Sequence, residues 1–217
     1  MKRKLLAITL LGLLSATVNV QAADDDSGWI FRGTVAYVDP NDDSGEVLGN
    51  DGVSVDTGLG LGLSFTYMLD QHWGVEILAA TPFTHDIVGT GALSGLAIGD
   101  TKQLPPTVSV TYSWGENTSF HVGAGLNYTK FFDEQSTSAL TDALGATTTS
   151  LQLDASTGLS VQFGFDTPVS DDWNITGGVY YKDIDTTADV FVNGTRAASV
   201  NVQIDPIVWT IGVSTRL

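Results

Sequence analysis

Apolar and polar residues alternate one by one over long stretches of this chain. Residues 58–67 set leucine and aromatic side chains at odd positions against glycine, serine and threonine at even ones. Residues 120–129 repeat the alternation, with Phe120, Val122 and Leu126 on the apolar face. Successive side chains of a β-strand point to opposite faces, so the pattern predicts strands with one apolar face and one small or polar face.

The alternation recurs in eight segments, at about 28–38, 58–67, 73–80, 105–114, 120–129, 150–165, 173–183 and 200–217. A strand of about ten residues, at ~3.3 Å per residue and a tilt near ~45°, rises ~23 Å. That height is close to the ~25 Å apolar band of an outer-membrane barrel. The strand length therefore predicts that these segments cross a membrane.

Short and long connections alternate between the segments. Short turns fall at 70–71, 115–117 and 170–172, and long segments rich in Gly, Asp, Ser and Thr fall at 39–54, 82–104, 131–149 and 184–199. Short periplasmic turns and long extracellular loops are typical of outer-membrane barrels. The pattern predicts an all-β fold, an eight-stranded antiparallel transmembrane β-barrel formed by residues 23–217. The alternative is a soluble β-sandwich, but that fold does not explain why short and long loops alternate.

Charged residues fall on one face of the predicted strands. The apolar faces carry none, whereas the interior faces hold Arg32, Glu76, His121, Asn127, Gln162 and Lys182. A basic residue facing lipid at mid-bilayer costs ~2–4 kcal/mol. We therefore expect Leu61→Arg or Val122→Arg to block assembly and Asn127→Ala to be tolerated. Aromatic residues on both sides of the short turns predict an interfacial girdle. They are Tyr67, Trp73, Tyr112, Phe120, Phe165 and Trp173.

The first residues predict a secretory signal peptide over residues 1–22. Lys2, Arg3 and Lys4 precede a short apolar run, and small residues suit cleavage after Ala22 or Ala23. Three of the nine Lys and Arg and none of the 25 acids lie in this segment, so the remainder carries a net charge of −19. So negative a chain argues against a nucleic-acid partner. The absence of Cys removes disulfides and thiolate metal sites.

No residue pattern predicts a metal site, a cofactor or a catalytic set. The segment from Asp39 resembles a calcium-binding EF-hand loop, but Ser44 replaces the turn glycine and Asn50 replaces the bidentate glutamate. Its acids are expected to form a solvated face that shares divalent ions with lipopolysaccharide. The three His residues are not grouped with Ser and Asp as a catalytic triad requires. Acyltransferase barrels open with an amphipathic helix, and protease barrels of the omptin type have ten strands. This sequence enters its first strand without such a helix and is too short for ten strands. We therefore expect no enzyme.

Three further stretches resemble motifs of the OmpW family of outer-membrane proteins. They are Val75–Ile87 (VEILAATPFTHDI), Thr101–Thr107 (TKQLPPT) and Gly123–Phe132 (GAGLNYTKFF). Family members usually end in an aromatic residue that the barrel-assembly machinery recognises, whereas this chain ends in Leu217. The resemblance implies an outer-membrane location and a narrow passage for small apolar molecules, as proposed also for related alkane-uptake barrels.

Two interpretations of the interior follow. Eight-stranded barrels are just wide enough for side chains to fill, so the polar interior residues are expected to form a plug. A passage would then begin in the extracellular half, where apolar residues of the long segments line a funnel or else pack into a closed cap. These residues are Val47, Leu48, Val53, Leu93, Leu96, Ile98, Leu104, Leu140 and Leu144. A plugged barrel would serve as an adhesin, a receptor or an envelope-stabilising protein.

The prolines near the predicted rim suggest how a solute leaves. Proline lacks a backbone N–H, so it removes a bond between neighbouring strands. A gap there would release an apolar solute sideways into lipid, although proline also ends strands without any such role. The residues assigned to this rim are Pro82, Phe83, His85, Pro105 and Pro106.

Overall fold

The computed structural model describes residues 28–41, 43–44 and 52–217. The described strands are β1 (Gly28–Asp39), β2 (Asp43–Ser44), β3 (Val53–Val55), β4 (Gly58–Met68), β5 (Trp73–Ala80), β6 (Phe83–Gly89), β7 (Ala97–Leu104), β8 (Thr107–Trp114), β9 (Ser119–Ser136), β10 (Thr149–Leu153), β11 (Ser156–Pro168), β12 (Asn174–Lys182), β13 (Asp185–Val192), β14 (Thr195–Gln203) and β15 (Ile207–Arg216). A 3-10 turn (Gly91–Leu93) and helix α1 (Ser138–Ala143) complete the described elements. Among these residues, no helix is long and apolar enough to cross a membrane.

Eight of the strands close into a barrel. They follow the order β1-β4-β5-β8-β9-β11-β12-β15, and each neighbouring pair is antiparallel. The first and last strands close the ring, with a register running from Ile30 opposite Arg216 to Asp39 opposite Ile207. Closure pairs each of these eight strands on both sides, so among the described residues the barrel wall has no unpaired edge strand. The predicted eight-stranded antiparallel barrel is confirmed.

Short turns gather at one end of the barrel, called the turn end, and the long segments lie at the other, the loop end. At the turn between β4 and β5, Asp70 Oδ1 accepts hydrogen bonds of 2.7 Å from the backbone N–H groups of His72 and Trp73. At the turn between β8 and β9, Gly115 has a φ of 111°, which favours glycine. Local hydrogen bonding and backbone conformation therefore set these turns.

The outer surface of the barrel is apolar, as the alternation predicted. Its exposed side chains include Val35, Leu61, Leu63, Phe65, Ile77, Val108, Val110, Val122, Leu126, Val161, Ile211 and Val213. Aromatic rings cluster towards the turn end, where Trp73 and Tyr112 pack with ring centroids 5.0 Å apart. Trp114, which the sequence analysis left out of the girdle, lies between Tyr112 and Phe120. Aromatic side chains at one height suit the boundary between hydrocarbon and headgroups.

The long segments are more ordered than the sequence analysis expected. Strands β6 and β7 pair within residues 82–104, and β13 and β14 pair within residues 184–203. The predicted strand 150–165 is two strands, β10 and β11, and Leu151 is buried instead of facing lipid. The predicted strand 200–217 is likewise divided, because Asp205 has a φ of 35° and Pro206 has no N–H to continue a ladder. The alternation was detected correctly, but breaks at single turns were missed.

Several expectations lie outside the described residues. The signal peptide over residues 1–22 is one, and the path residues Val47 and Leu48 are others. Asn50 and most of the acidic residues in the segment from Asp39 to Asp51 are also outside the described ranges. These expectations stay predictions.

The glycines of β4 make room for side chains that fold into the barrel from β6. A Cβ built on Gly58 would lie 2.8 Å from the His85 ring, and one built on Gly60 would lie 2.5 Å from the Phe83 ring. Both distances are shorter than side chains tolerate. The alternating glycines thus permit an inward turn of the chain after Pro82.

We expect Gly60→Ala to destabilise the barrel by roughly 1–3 kcal/mol, because the added methyl overpacks against Phe83. Thermal unfolding in detergent, followed by the heat-dependent gel shift of folded barrels, measures the effect. Gly33→Ala is the matched control, since its Cβ would meet Phe31 at an ordinary 3.6 Å. Equal midpoints for the two variants would contradict the packing role of Gly60.

Candidate functional site

A buried polar network fills the interior near the turn end. Arg32, 5% exposed, donates hydrogen bonds of 3.1 and 2.8 Å to the carboxylate of Asp166. Its Nη1 donates to Thr66 Oγ1 at 2.7 Å and lies 3.3 Å from Glu76 Oε2. Gln162 Nε2 donates to Glu76 Oε1 at 2.8 Å. One guanidinium thus joins β1, β4, β5 and β11 across the interior.

Asp166 is a charged interior residue that the sequence analysis missed. It lies just before the short turn after β11, where an acid resembles an ordinary solvated turn residue. Its parity was the available signal, because it shares a strand face with Gln162. Ser214 Oγ donates to Asp166 Oδ1 at 2.7 Å, and His121 Nδ1 lies 3.7 Å from Asp166 Oδ2.

A second polar cluster lies higher in the barrel, beneath the prolines of the rim. Asn127 Nδ2 donates to the backbone carbonyls of Pro105 and Pro106 at 3.1 and 3.2 Å and to Thr107 Oγ1 at 3.0 Å. Lys182 Nζ donates to the same hydroxyl at 2.5 Å. Each of these acceptors also has another donor: Thr107 Oγ1 donates to the Pro105 carbonyl, Tyr128 N–H to the Pro106 carbonyl and Lys182 to Thr107 Oγ1. Asn127→Ala would therefore leave none of the three unpaired, and its expected tolerance stays a prediction.

Apolar side chains form a layer above the polar network. Ala36, Val38, Phe83, Tyr180 and Val208 pack together and are buried. A small void of about 20 Å³ adjoins this layer and is also lined by Gln103, Pro105 and Lys182. This layer separates the charged network at the turn end from the loop end, and Gln103 and Lys182 supply the polar groups beside its void.

A larger cavity of about 440 Å³ occupies the loop end. Ligand pockets commonly enclose about 300–1,000 Å³. Six of the predicted path residues line it: Val53, Leu93, Leu96, Ile98, Leu140 and Leu144. The sequence analysis missed other apolar lining residues, among them Val55, Ile87, Phe131, Leu151, Val200 and Val202. For Ile87, Val200 and Val202, the alternation within 83–87 and 200–204 was the available signal.

Leu104 does not line this cavity. Neighbouring residues of a strand point to opposite faces, and Gln103 takes the cavity side. The register of β7 against β9 shifts between Asp100 and Lys102, so Ile98 and Gln103 both reach the cavity despite their different parity. A bulge of this kind could not be read from the alternation.

The backbone ladder between neighbouring strands is interrupted at the rim. Pairing of β5 with β8 ends at Leu78 opposite Thr107, and pairing of β6 with β7 begins at Phe83 opposite Gln103. Residues 79–82 and 104–106, which contain all three rim prolines, lie between these two ladders. Pro82 and Pro106 are exposed, and Pro105 is buried. The interruption falls at the three prolines that the sequence analysis assigned to the rim, and the release of a solute there stays a prediction.

Phe83 and His85 belong to the interior instead of the rim. Both are buried, and His85 lines the large cavity. They alternate with exposed Thr84, so their side chains share the inward face of β6. The sequence analysis placed them wrongly because glycine-permitted folding of β6 over β4 has no local pattern.

Three carboxylates crowd together at the loop end. Ligand atoms of Asp183, Asp185 and Asp205 lie within 4.8 Å of one another. Partial burial, with the nearby charges of Asp205 and Asp183, raises the pKa of Asp185. The cluster concentrates negative charge near the barrel mouth. The sequence analysis had expected ion binding at the acids of the segment from Asp39 instead.

Comparison with known proteins agrees with this architecture. The sequence profile of the OmpW family matches residues 26–217. Outer membrane protein W of Vibrio cholerae is 40% identical over 217 residues, which span 97% of each chain.

Solved structures share the fold. The crystal structure of outer membrane protein OprG from Pseudomonas aeruginosa superimposes with a TM-score of 0.80 at 36% identity, over 88% of this chain and 96% of that one. The structure of outer membrane protein AlkL in lipid bilayers, at 17% identity, superimposes with a TM-score of 0.70 over 91% of this chain and 93% of that one, a likeness of fold. The closed barrel, its apolar exterior and these relatives lead to one conclusion: the chain is an outer-membrane protein and belongs to the OmpW family.

Proposed function

We propose that this protein is a passive, non-enzymatic channel that takes small apolar molecules from outside the cell into the outer membrane. The observation that supports this is the cavity of about 440 Å³ at the loop end, with its predominantly aliphatic walls. Transfer of apolar surface out of water is favourable by ~25 cal/mol per Å². The cavity would therefore concentrate apolar solutes without any energy source.

Exit through the turn end is unfavourable for such a solute. It would have to separate Arg32 from Glu76 and Asp166, which are buried and joined by hydrogen bonds. Buried charges that lose their partners are strongly destabilised. The proposed passage therefore turns sideways before it reaches the network.

The ladder interruption at residues 79–82 and 104–106 is the proposed lateral exit. Pro105 and Pro106 have no N–H to bridge to the facing chain, so separation there breaks fewer hydrogen bonds than elsewhere in the wall. The small void is lined by Phe83 and Pro105 and shares Gln103 with the larger cavity, which supports a route from the cavity to this exit. A solute that leaves here enters the acyl chains directly.

Leu96→Asp is expected to reduce uptake severalfold, because it places a carboxylate in the apolar cavity wall. Outer-membrane vesicles with wild-type protein, with the variant and without protein are mixed with an apolar fluorescent reporter such as N-phenylnaphthylamine, and the rate of fluorescence increase is recorded. Wild-type vesicles should be fastest, and the variant should approach the rate without protein.

Leu69→Asp is the matched control, since Leu69 is exposed in a short turn far from the cavity. It should keep the wild-type rate. Equal rates in all samples would contradict the channel and favour a plugged barrel acting as an adhesin, a receptor or a structural protein. A steady ionic conductance of the wild-type protein in planar bilayers would contradict the sideways exit.

A further inference from the structure

Three of the four polar side chains that line the large cavity lie on one wall, and the fourth, Ser199, belongs to β14. His85 of β6 and Thr101 and Gln103 of β7 all line the cavity and are buried. His85 lies opposite Thr101 in the strand register. A few placed polar groups in an apolar pocket usually orient a ligand. This patch therefore distinguishes one wall from the aliphatic remainder.

A chain of hydrogen bonds orients the Gln103 amide. The backbone carbonyl of Asp56 can only accept, so His85 Nδ1, at 2.7 Å, carries a proton and donates to it. In the neutral ring His85 Nε2 is then an acceptor. Gln103 Nε2, at 2.8 Å, donates to that nitrogen. The amide oxygen of Gln103 consequently points away from His85.

Gln103 Oε1 is a buried acceptor with no hydrogen-bond partner among the described residues. Gln103 is only 1% exposed, and it lines both the large cavity and the small void beside the lateral exit. A buried polar atom without a partner is uncommon and costly. This acceptor lies where a solute would pass from the cavity to the exit.

Resting on the proposed function, we propose that the solutes are apolar molecules with one hydroxyl group, such as alcohols and phenols, and that the hydroxyl donates a hydrogen bond to Gln103 Oε1. In the free protein this acceptor is unpaired among the described residues. A bound hydrocarbon leaves the oxygen unpaired, whereas a bound hydroxyl donates a hydrogen bond to it. The resulting preference for the hydroxylated solute is roughly tenfold.

The test compares 1-naphthol with naphthalene, which share an aromatic body. Equilibrium dialysis measures binding to the protein in lipid nanodiscs, and empty nanodiscs measure partition into lipid. Wild-type protein should bind naphthol roughly tenfold more tightly than naphthalene after this correction. Gln103→Leu should remove the preference while naphthalene binding is kept. Gln152→Leu, which changes an exposed glutamine of β10, should leave the preference unchanged.

A second measurement uses only the wild-type chain, so it does not depend on the folding of a variant. The ¹³Cδ resonance of Gln103 should shift with naphthol and stay in place with naphthalene. Equal affinity of wild-type protein for the two probes, or an unmoved resonance with bound naphthol, would overturn the hydroxyl preference alone. Binding of neither probe would overturn the apolar channel together with the preference.

Discussion

Arg32→Met is expected to lower the free energy of unfolding by about 3–5 kcal/mol, because it leaves two buried carboxylates without their counter-charge. Glu76 and Asp166 both lie in the interior, and Arg32 is the cation that contacts each of them. The change is measured by urea-dependent unfolding of the protein from lipid vesicles. Methionine keeps most of the side-chain volume, so the loss reports charge and hydrogen bonding more than packing.

An exposed ion pair provides the control. Lys102 contacts Asp133 at 3.1 Å, but the Lys102 side chain is 42% exposed, so Lys102→Met should cost no more than about 1 kcal/mol. Adding Glu76→Gln and Asp166→Asn to Arg32→Met should recover much of the lost stability, since no uncompensated carboxylate remains in the network. Similar losses for Arg32→Met and Lys102→Met would contradict the buried network as a stabilising element.

Leu61→Arg is expected to block barrel assembly. Leu61 is 54% exposed on the wall of β4, where the surrounding medium is hydrocarbon. A lipid-facing arginine near mid-bilayer costs ~2–4 kcal/mol, a large share of a stability of ~5–15 kcal/mol. The heat-modifiable folded band on gels, after refolding into vesicles, should be strongly reduced.

Leu69→Arg tests whether the effect of an arginine depends on its depth in the bilayer or only on the exposure of the replaced leucine. Leu69 is 52% exposed, nearly the same as Leu61, but it lies in a short turn at the end of the wall. The cost of arginine falls to ~0–1 kcal/mol near the interface, so folding should be close to wild type. Equal impairment of the two variants would show that exposed leucine, and not lipid depth, determines the effect.

The polar interior was largely predictable, and the reason is local. Arg32, Glu76, His121 and Gln162 share the parity of the small residues in their strands, and all four are buried. Parity needs no tertiary information, since the strand period alone assigns a face. Asp166 has the parity of an interior residue, but it also lies near a short turn. An acid in that position is equally well explained as a solvated turn residue, so the local pattern was ambiguous.

The cavity was predictable only in part. Leu96 and Ile98 were recognised because apolar residues are unexpected in a merely solvated loop, and both line the cavity. Leu104 was misplaced, because a register shift in β7 changes which face each residue takes. The opposite wall, from β13 and β14, was missed because its strands were assigned partly to a loop and partly to the barrel.

By itself the sequence determined the transmembrane strands, their inward and outward faces and the closed architecture, because two-residue alternation and turn chemistry act over a few neighbours. Only the tertiary structure decided which interior side chains meet and how the long segments pack above them. The contact between Arg32 and Asp166 spans 134 positions, and the burial of Phe83 depends on Gly60 in another strand. Such contacts arise when the barrel closes and brings distant strands together, so no local pattern encodes them.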